Sequence, residues 1–144
     1  MASRRFFLKK SAIVASLPIL TSKSDVFSIF KSSPLEELNI GIIGTGDRGK
    51  GLMRLINKID GMKLIAICDT LQFRLDQAAL ISPKSKQYHN YKDLLSNKSL
   101  DAVIISTPLN THASIASDAI DASLPIYCEK TMVKGDQNTI NLVK

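Results

Sequence analysis

From Asn39 onward the apolar residues fall into two alternating arrangements. Asn39–Ile43 (NIGII) is a short continuous apolar run that closes on glycines, the form of a strand buried on both faces. After Gly46 the apolar positions are Leu52, Met53, Leu55, Ile56 and Ile59, a helical spacing that predicts a helix to about Lys58, broken by Asp60-Gly61. The alternation then repeats. Lys63–Cys68 (KLIAIC) predicts a second strand and Leu71–Ile81 a second helix, stopped by Ser82-Pro83. Gln87–His89 predicts a short third strand, followed by a helix over Lys92–Ser96. Ala102–Ser106 (AVIIS) reads as the fourth strand, Thr111–Ala122 as the next helix, and Pro125–Cys128 (PIYC) as the fifth strand. A last helix is predicted to start near Asp136 and to run off the end. Strands alternating with helices of this length predict an α/β fold, a doubly wound parallel sheet with helices on both faces. The absence of Asn-Gly hairpin turns agrees.

Composition fits this picture: 144 residues, 44% hydrophobic and 22% charged, suit one domain with a real core. The formal charge of +6 changes the picture only after it is located. Residues 1–34 hold six basic side chains (Arg4, Arg5, Lys9, Lys10, Lys23, Lys31) against Asp25, whereas residues 35–144 hold thirteen basic and twelve acidic groups. The body is nearly neutral, without the basic stripe that a phosphate backbone requires, which argues against nucleic acid as a partner. The basicity belongs to a leader. Its charged start precedes the uncharged run SAIVASLPILTS, which Lys23 ends. Twelve such residues are too few for a bilayer span, which needs about 20, but suit the apolar part of a signal peptide. Ser3-Arg4-Arg5-Phe6-Phe7-Leu8-Lys9 resembles the twin-arginine export motif. Residues 1–35 are therefore expected to be a twin-arginine signal and polar linker, and 36–144 the folded α/β domain. Export to the periplasm or medium is expected, with the leader either cleaved or kept as an anchor. The alternative is an ordinary basic N-terminus.

The chemistry concentrates at predicted strand ends. Gly44-Thr45-Gly46-Asp47-Arg48-Gly49 is G-x-G-x-x-G, placed directly after the first strand and opening the first helix. In this motif the first glycine permits a tight turn, the second lets the backbone approach a pyrophosphate, and the third lets helix pack on strand. Helix N–H groups and the dipole then favour the anion, and Arg48 adds a cation. Asp69 ends the second strand, 25 positions after Gly44. A carboxylate there accepts hydrogen bonds from the adenosine ribose and repels a 2′-phosphate, so NAD is favoured over NADP. Arg74 reverses this preference if it reaches back, and a plain helix N-cap is the alternative for Asp69. Cys68 and Cys128 end the second and fifth strands, which the usual doubly wound order sets three spacings apart, roughly 14 Å. That excludes a disulfide. Both are expected to be free and buried, and neither points to a metal.

Ser106-Thr107-Pro108-Leu109-Asn110-Thr111-His112 follows the fourth strand and Glu129-Lys130 the fifth. With the glycine turn they make the chain resemble the Gfo/Idh/MocA oxidoreductases from about Leu38 to Lys144. That family combines the turn with Thr-Pro-…-His and Glu-Lys-Pro segments. The resemblance implies a Rossmann domain in which Asp47, Arg48 and Gly49 lie on the pyrophosphate and Asp69 on the ribose. Leu109, Asn110 and His112 would line the inner cofactor site, with Glu129 at the nicotinamide ribose. Lys130 would touch nicotinamide and substrate and assist proton transfer, and is the expected catalytic residue. The alternatives are a structural role for His112 and a solvated loop lysine at Lys130. Thr131 stands where the family has proline, so the lysine turn loses a residue that fixes φ.

The family also carries a second α+β domain that binds substrate and makes subunit contacts. It is expected to be absent from these 144 residues, along with the last strand of the sheet, so that the chain as it stands is not expected to turn over. The implied function is the cofactor part of an exported, homo-oligomeric NAD-dependent oxidoreductase acting on a sugar, glycoside or polyol hydroxyl. Since NAD is scarce outside the cytoplasm, the cofactor is expected to be tightly held and recycled. A redox-assisted glycoside hydrolase is the alternative among relatives, although Glu129-Lys130 favours the dehydrogenase. A non-catalytic dinucleotide-binding fragment is the third reading.

Overall fold

The computed structural model describes residues 37–133. The expectations for the leader and for the helix near Asp136 lie outside those residues. Five strands form one all-parallel sheet: β1 (Leu38–Ile43), β2 (Met62–Cys68), β3 (Lys86–Tyr88), β4 (Ala102–Ile105) and β5 (Ile126–Cys128), in the order β3-β2-β1-β4-β5. The helices are α1 (Asp47–Ile56), α2 (Gln72–Ile81), α3 (Tyr91–Leu95) and α4 (Leu109–Asp121).

Two apolar clusters cover the two faces. Ile40, Ile42 and Ile67 meet Leu52, Met53 and Ile56 of α1 and Leu75 and Ala78 of α2. Ile43, Ala66, Val103 and Ile105 meet Leu94 and Leu95 of α3 and Ile115, Ala116 and Ala119 of α4. This is the doubly wound arrangement that the alternating pattern predicts. The near-continuous apolar strands follow from it, because each face of each central strand is covered.

The elements depart from the sequence reading by one or two residues, with physical causes. α4 begins at Leu109, two residues before the predicted Thr111, because Pro108 caps it with φ −60° and Thr111 Oγ1 donates back to the Pro108 carbonyl at 2.8 Å. The β1–β2 pairing skips a residue: Ile40 faces Leu64 but Gly41 faces Ala66. Ile65 and Ala66 consequently pack toward the same cluster. Such a bulge re-phases the strand beyond it, and here it sets which side of the sheet Ile67, Cys68 and then Asp69 address.

β1 and β4 lie side by side at the centre and their following segments part to opposite faces, α1 to one and α4 to the other. A parting of this kind opens a crevice at the carboxyl ends of the strands, where open α/β sheets bind ligands. Among the described residues no helix is long and apolar enough to cross a membrane.

Candidate functional site

The glycine turn is built by close packing. Gly44 has φ +94°, and a Cβ there would stand 2.6 Å from the Ser106 carbonyl oxygen. Its N–H donates to the Cys68 carbonyl at 2.8 Å, so the turn leaves β1 directly against the end of β2. At Gly49, in the first turn of α1, an added Cβ would run into the Gly44 carbonyl oxygen. Gly46 caps α1 without any side-chain hydrogen bond, which leaves the first N–H groups of the helix for an incoming acceptor.

Asp69 holds this turn in place. Its Oδ2 accepts from Thr45 N–H at 2.9 Å and from the Thr45 hydroxyl at 3.2 Å, and its Oδ1 accepts from Leu71 N–H at 3.1 Å. The carboxylate is buried, 6% exposed, with Arg74 Nη1 at 3.9 Å. The residue capping α2 is Leu71, without a side-chain cap bond, so Asp69 is not that helix's N-cap. The carboxylate therefore faces the crevice as part of the scaffold that shapes it. Arg74 does reach back, and it stands 3.8 Å from where a Gly46 Cβ would lie.

The opposite wall comes from the ends of β4 and β5. Glu129 N–H donates to the Ile105 carbonyl at 2.9 Å, which extends the β4–β5 pairing to the Glu129 backbone. Its carboxylate meets Arg48 across the mouth, with Arg48 Nε and Nη2 each 2.6 Å from Oε1. The hydrogen bond from Arg48 holds the Glu129 carboxyl below the usual carboxylate range despite the opposing effect of burial, and the same bond raises the Arg48 guanidinium. His112 is buried at 2% exposure, with Nδ1 2.8 Å from the Thr131 carbonyl oxygen and Nε2 2.7 Å from that of Thr107. It thus stands between the segment after Lys130 and the turn after β4, donating in its neutral form to one of the two carbonyls according to its tautomer.

Two adjoining hollows result. The first, about 660 Å³, is lined by Gly44, Gly46, Asp47, Arg48, Asp69 and Asn110 together with side chains outside the expected set, notably Arg74 and Tyr91. The second, about 1040 Å³ and more open, is lined by Arg48, Glu129 and Lys130. Arg48, Ser106 and Thr107 border both. Of the expected residues, Gly49 stands behind the turn, exposed Leu109 lines neither hollow, and His112 lies beneath the surface. Thr45 and Ser106 belong to the site although sequence reasoning did not assign them. Ser106 had a signal, a hydroxyl at the carboxyl end of a central strand.

These residues fit a dinucleotide. The Ser106 hydroxyl is buried without a hydrogen-bond partner among the described residues, a state that normally marks a group awaiting one. It sits where the two hollows meet. Beside it is the turn whose backbone a Cβ would obstruct, so an extended ligand with a polar middle matches the shape. Among the described residues no group of three His, Cys, Asp or Glu side chains is placed to hold a metal. Cys68 and Cys128 are free, the first buried and the second only half-buried. Burial pushes the Cys68 thiol up to about 12 and raises Cys128 as well.

The comparison with known proteins agrees with this geometry. Residues 38–143 match the Gfo/Idh/MocA oxidoreductase family model, described as an NAD-binding Rossmann fold. The chain belongs to this family. It is 37% identical over 98 residues to inositol 2-dehydrogenase of Salmonella typhimurium, covering 66% of this chain and 29% of that relative. It is also 32% identical over 151 aligned positions to a glycosyl hydrolase family 109 protein of Shewanella pealeana, covering 88% of this chain and 33% of the relative. Among solved structures, myo-inositol dehydrogenase from Lactobacillus casei, in complex with NAD(H) and myo-inositol, superposes with a TM-score of 0.70 at 25% identity, over 74% of this chain and 32% of that one. The chain thus spans about a third of the length of the relatives it matches. As a family member it carries an NAD-binding Rossmann fold of oxidoreductase type.

Proposed function

We propose that this chain is the cofactor-binding part of an NAD-dependent oxidoreductase acting on a hydroxyl of a sugar, glycoside or cyclic polyol. The observation that carries this reading is that the two hollows adjoin, with Arg48, Ser106 and Thr107 on the border of both. The glycine turn and Asp69 bound one, Glu129 and Lys130 bound the other, and a single ligand lying along both would bring its far end to Lys130. Gly46 and the start of α1 would hold the pyrophosphate, with Arg48 as the adjacent cation. Asp69 supports NAD, since a buried carboxylate at the ribose disfavours a 2′-phosphate, whereas Arg74, which reaches back to 3.9 Å from that carboxylate, offers a 2′-phosphate a cation. We take NAD as the cofactor because the carboxylate already has that guanidinium beside it, and comparing NAD with NADP affinity tests the choice. Bound NAD would supply a hydride acceptor. Lys130 is exposed on the rim, where its ammonium group reaches both solvent and a ligand in the second hollow. We assign it to assist removal of the proton from the reacting hydroxyl.

The glycosyl hydrolase relatives support a second reading, redox-assisted cleavage of a glycoside, in which the same oxidation precedes release of the aglycone. Incubating the complete enzyme, with its substrate-binding part, with NAD and a panel of inositols, free sugars and aryl glycosides separates the two. NADH accumulation supports the dehydrogenase, and release of free aglycone supports the hydrolase. Lys130→Ala should abolish either activity while sparing nucleotide binding, and retained turnover would overturn the assignment of Lys130.

We further propose export by the twin-arginine route to the periplasm, with the cofactor loaded before transit and held tightly, and a homo-oligomeric full protein. The support is the Arg4-Arg5 leader on a nearly neutral body. Replacing both arginines by lysine should leave the protein in the cytoplasmic fraction. Unchanged fractionation would refute export by this route.

A further inference from the structure

Arg48 and Glu129 lie 81 residues apart in sequence, yet theirs is the contact that crosses the mouth between the two hollows. The pair is asymmetric. The Arg48 side chain is 62% exposed and the Glu129 side chain 12%. Arg48 stands in the first turn of α1, beside the open N–H groups. Glu129 has its backbone fixed by the bond to Ile105, and its carboxylate is held first by Arg48 and, more weakly, by the Lys130 backbone N–H and the Tyr127 hydroxyl. Tyr127 Oη is 3.5 Å from Oε1, at the limit of a hydrogen bond. Both Arg48 donors converge on Oε1, which leaves Oε2 outside the fork. Nη1 makes no hydrogen bond among the described residues and remains available to an anion beside the helix start.

We propose that Arg48 is the positioning residue of Glu129: its fork holds one carboxylate oxygen so that the other is presented to the ribose hydroxyls at the far end of the dinucleotide. This rests on the NAD reading above. Arg48 then has two separable duties. As a charge it attracts the pyrophosphate, and as a planar fork it aims a carboxylate on the opposite wall. Lysine can perform the first but not the second, because a single ammonium cannot reproduce two donors in a fixed plane.

The test compares ADP with ADP-ribose, two probes that differ by the second ribose, using the 144-residue chain and titration calorimetry. In the wild type the second ribose should improve affinity about 10-fold, the order expected of one hydrogen bond to a charged group. Glu129→Ala should erase that gain. Arg48→Lys leaves the net charge unaltered, and the quantity read is the ratio of the two affinities within each variant. The gain from the second ribose should fall below about 3-fold, whatever the ADP affinity itself does. Arg48→Lys in the Glu129→Ala background should lower the second-ribose gain no further, since for that gain the two substitutions remove one interaction. Arg48 is mostly exposed, so its variants should melt with the wild type, and the readout is binding rather than folding. A full second-ribose gain retained in Arg48→Lys would overturn the positioning role. So would a wild type that binds ADP and ADP-ribose equally, although NAD binding itself would then still stand. A wild type that binds neither probe would remove the cofactor reading, and the proposal with it.

Discussion

Asp69 is placed to serve the fold and the ligand at once, and one substitution distinguishes these duties. Asp69→Asn preserves size but replaces one acceptor oxygen by an NH₂ donor. The present carboxylate accepts three bonds, two from Thr45 on one oxygen and one from Leu71 N–H on the other. Whichever way the amide turns, its NH₂ faces a backbone N–H, either of fully buried Thr45 or of Leu71. Leaving a buried donor unsatisfied costs about 1–3 kcal/mol. Taking about 2 kcal/mol, a domain of this size should lose roughly 8–16 °C in Tm at ~4–8 °C per kcal/mol. Where the NH₂ faces Thr45 the turn from Gly44 to Gly46 also loses its tether, and in either orientation the ribose loses a charged acceptor, so NAD affinity should fall as well. The assay is thermal unfolding followed by circular dichroism, with NAD titrated well below both midpoints. A melt within about 2 °C of wild type would refute the scaffold argument. If affinity alone fell, Asp69 would act only as a ligand to the ribose.

Three further outcomes follow from the same geometry. Gly49→Ala places a methyl on the Gly44 carbonyl and should cost about 3 kcal/mol, the upper end for overpacking. Gly51→Ala, also in α1 but with nothing within 4 Å of its new Cβ, should be neutral or gain about 0.5–1 kcal/mol of helix propensity; urea midpoints compare them. Burial raises the Cys68 thiol to about 12, so in the native protein iodoacetamide should label Cys128 first and Cys68 only in denaturant. Equal native rates would contradict this. The Tyr91 hydroxyl donates to Asp118 Oδ2 at 2.7 Å, and that bond, with burial, lifts its pKa to about 12. A folded value above the unfolded one of about 10 means that its stabilisation is complete below pH 10 and fades as pH rises toward 12. Tyr91→Phe should flatten the alkaline limb of a Tm-against-pH curve, and an unchanged limb would place the loss elsewhere.

What the sequence reveals of this protein, and what it hides, divides along the range of the interactions. The strands were legible because each central strand is covered on both faces, which forces the continuous runs at Ile40–Ile43 and Ala102–Ile105. The glycine turn was legible because its demands are local, with Gly44, Gly46 and Gly49 all within one turn and one helix start. The bulge at Ile65 was not legible: the run KLIAIC is apolar throughout, and nothing in it marks where the pairing slips by a residue. Nor was the start of α4, where Pro108 had to be read as a cap rather than as a break in a loop.

The site itself depends on contacts that no local pattern contains. Thr45 meets Asp69 across 24 residues and Arg48 meets Glu129 across 81, because the strand order brings the ends of β1, β2, β4 and β5 to one crevice. His112 shows what that distance conceals. The family resemblance implied a cofactor contact for it, with a structural role as the alternative. Its ring lies between two carbonyl oxygens, one on each of the segments that follow β4 and β5, as the structural role requires. Thr131 occupies the position where the family has proline, and it is the Thr131 carbonyl that His112 meets. In the tautomer with the proton on Nδ1, a side chain beneath the surface anchors the turn that carries Lys130, in place of a ring fixing φ within it. The geometry of the proposed proton-transfer residue is thus set from the neighbouring strand's helix. A substitution at His112 should consequently be felt at Lys130 before it is felt at the glycine turn.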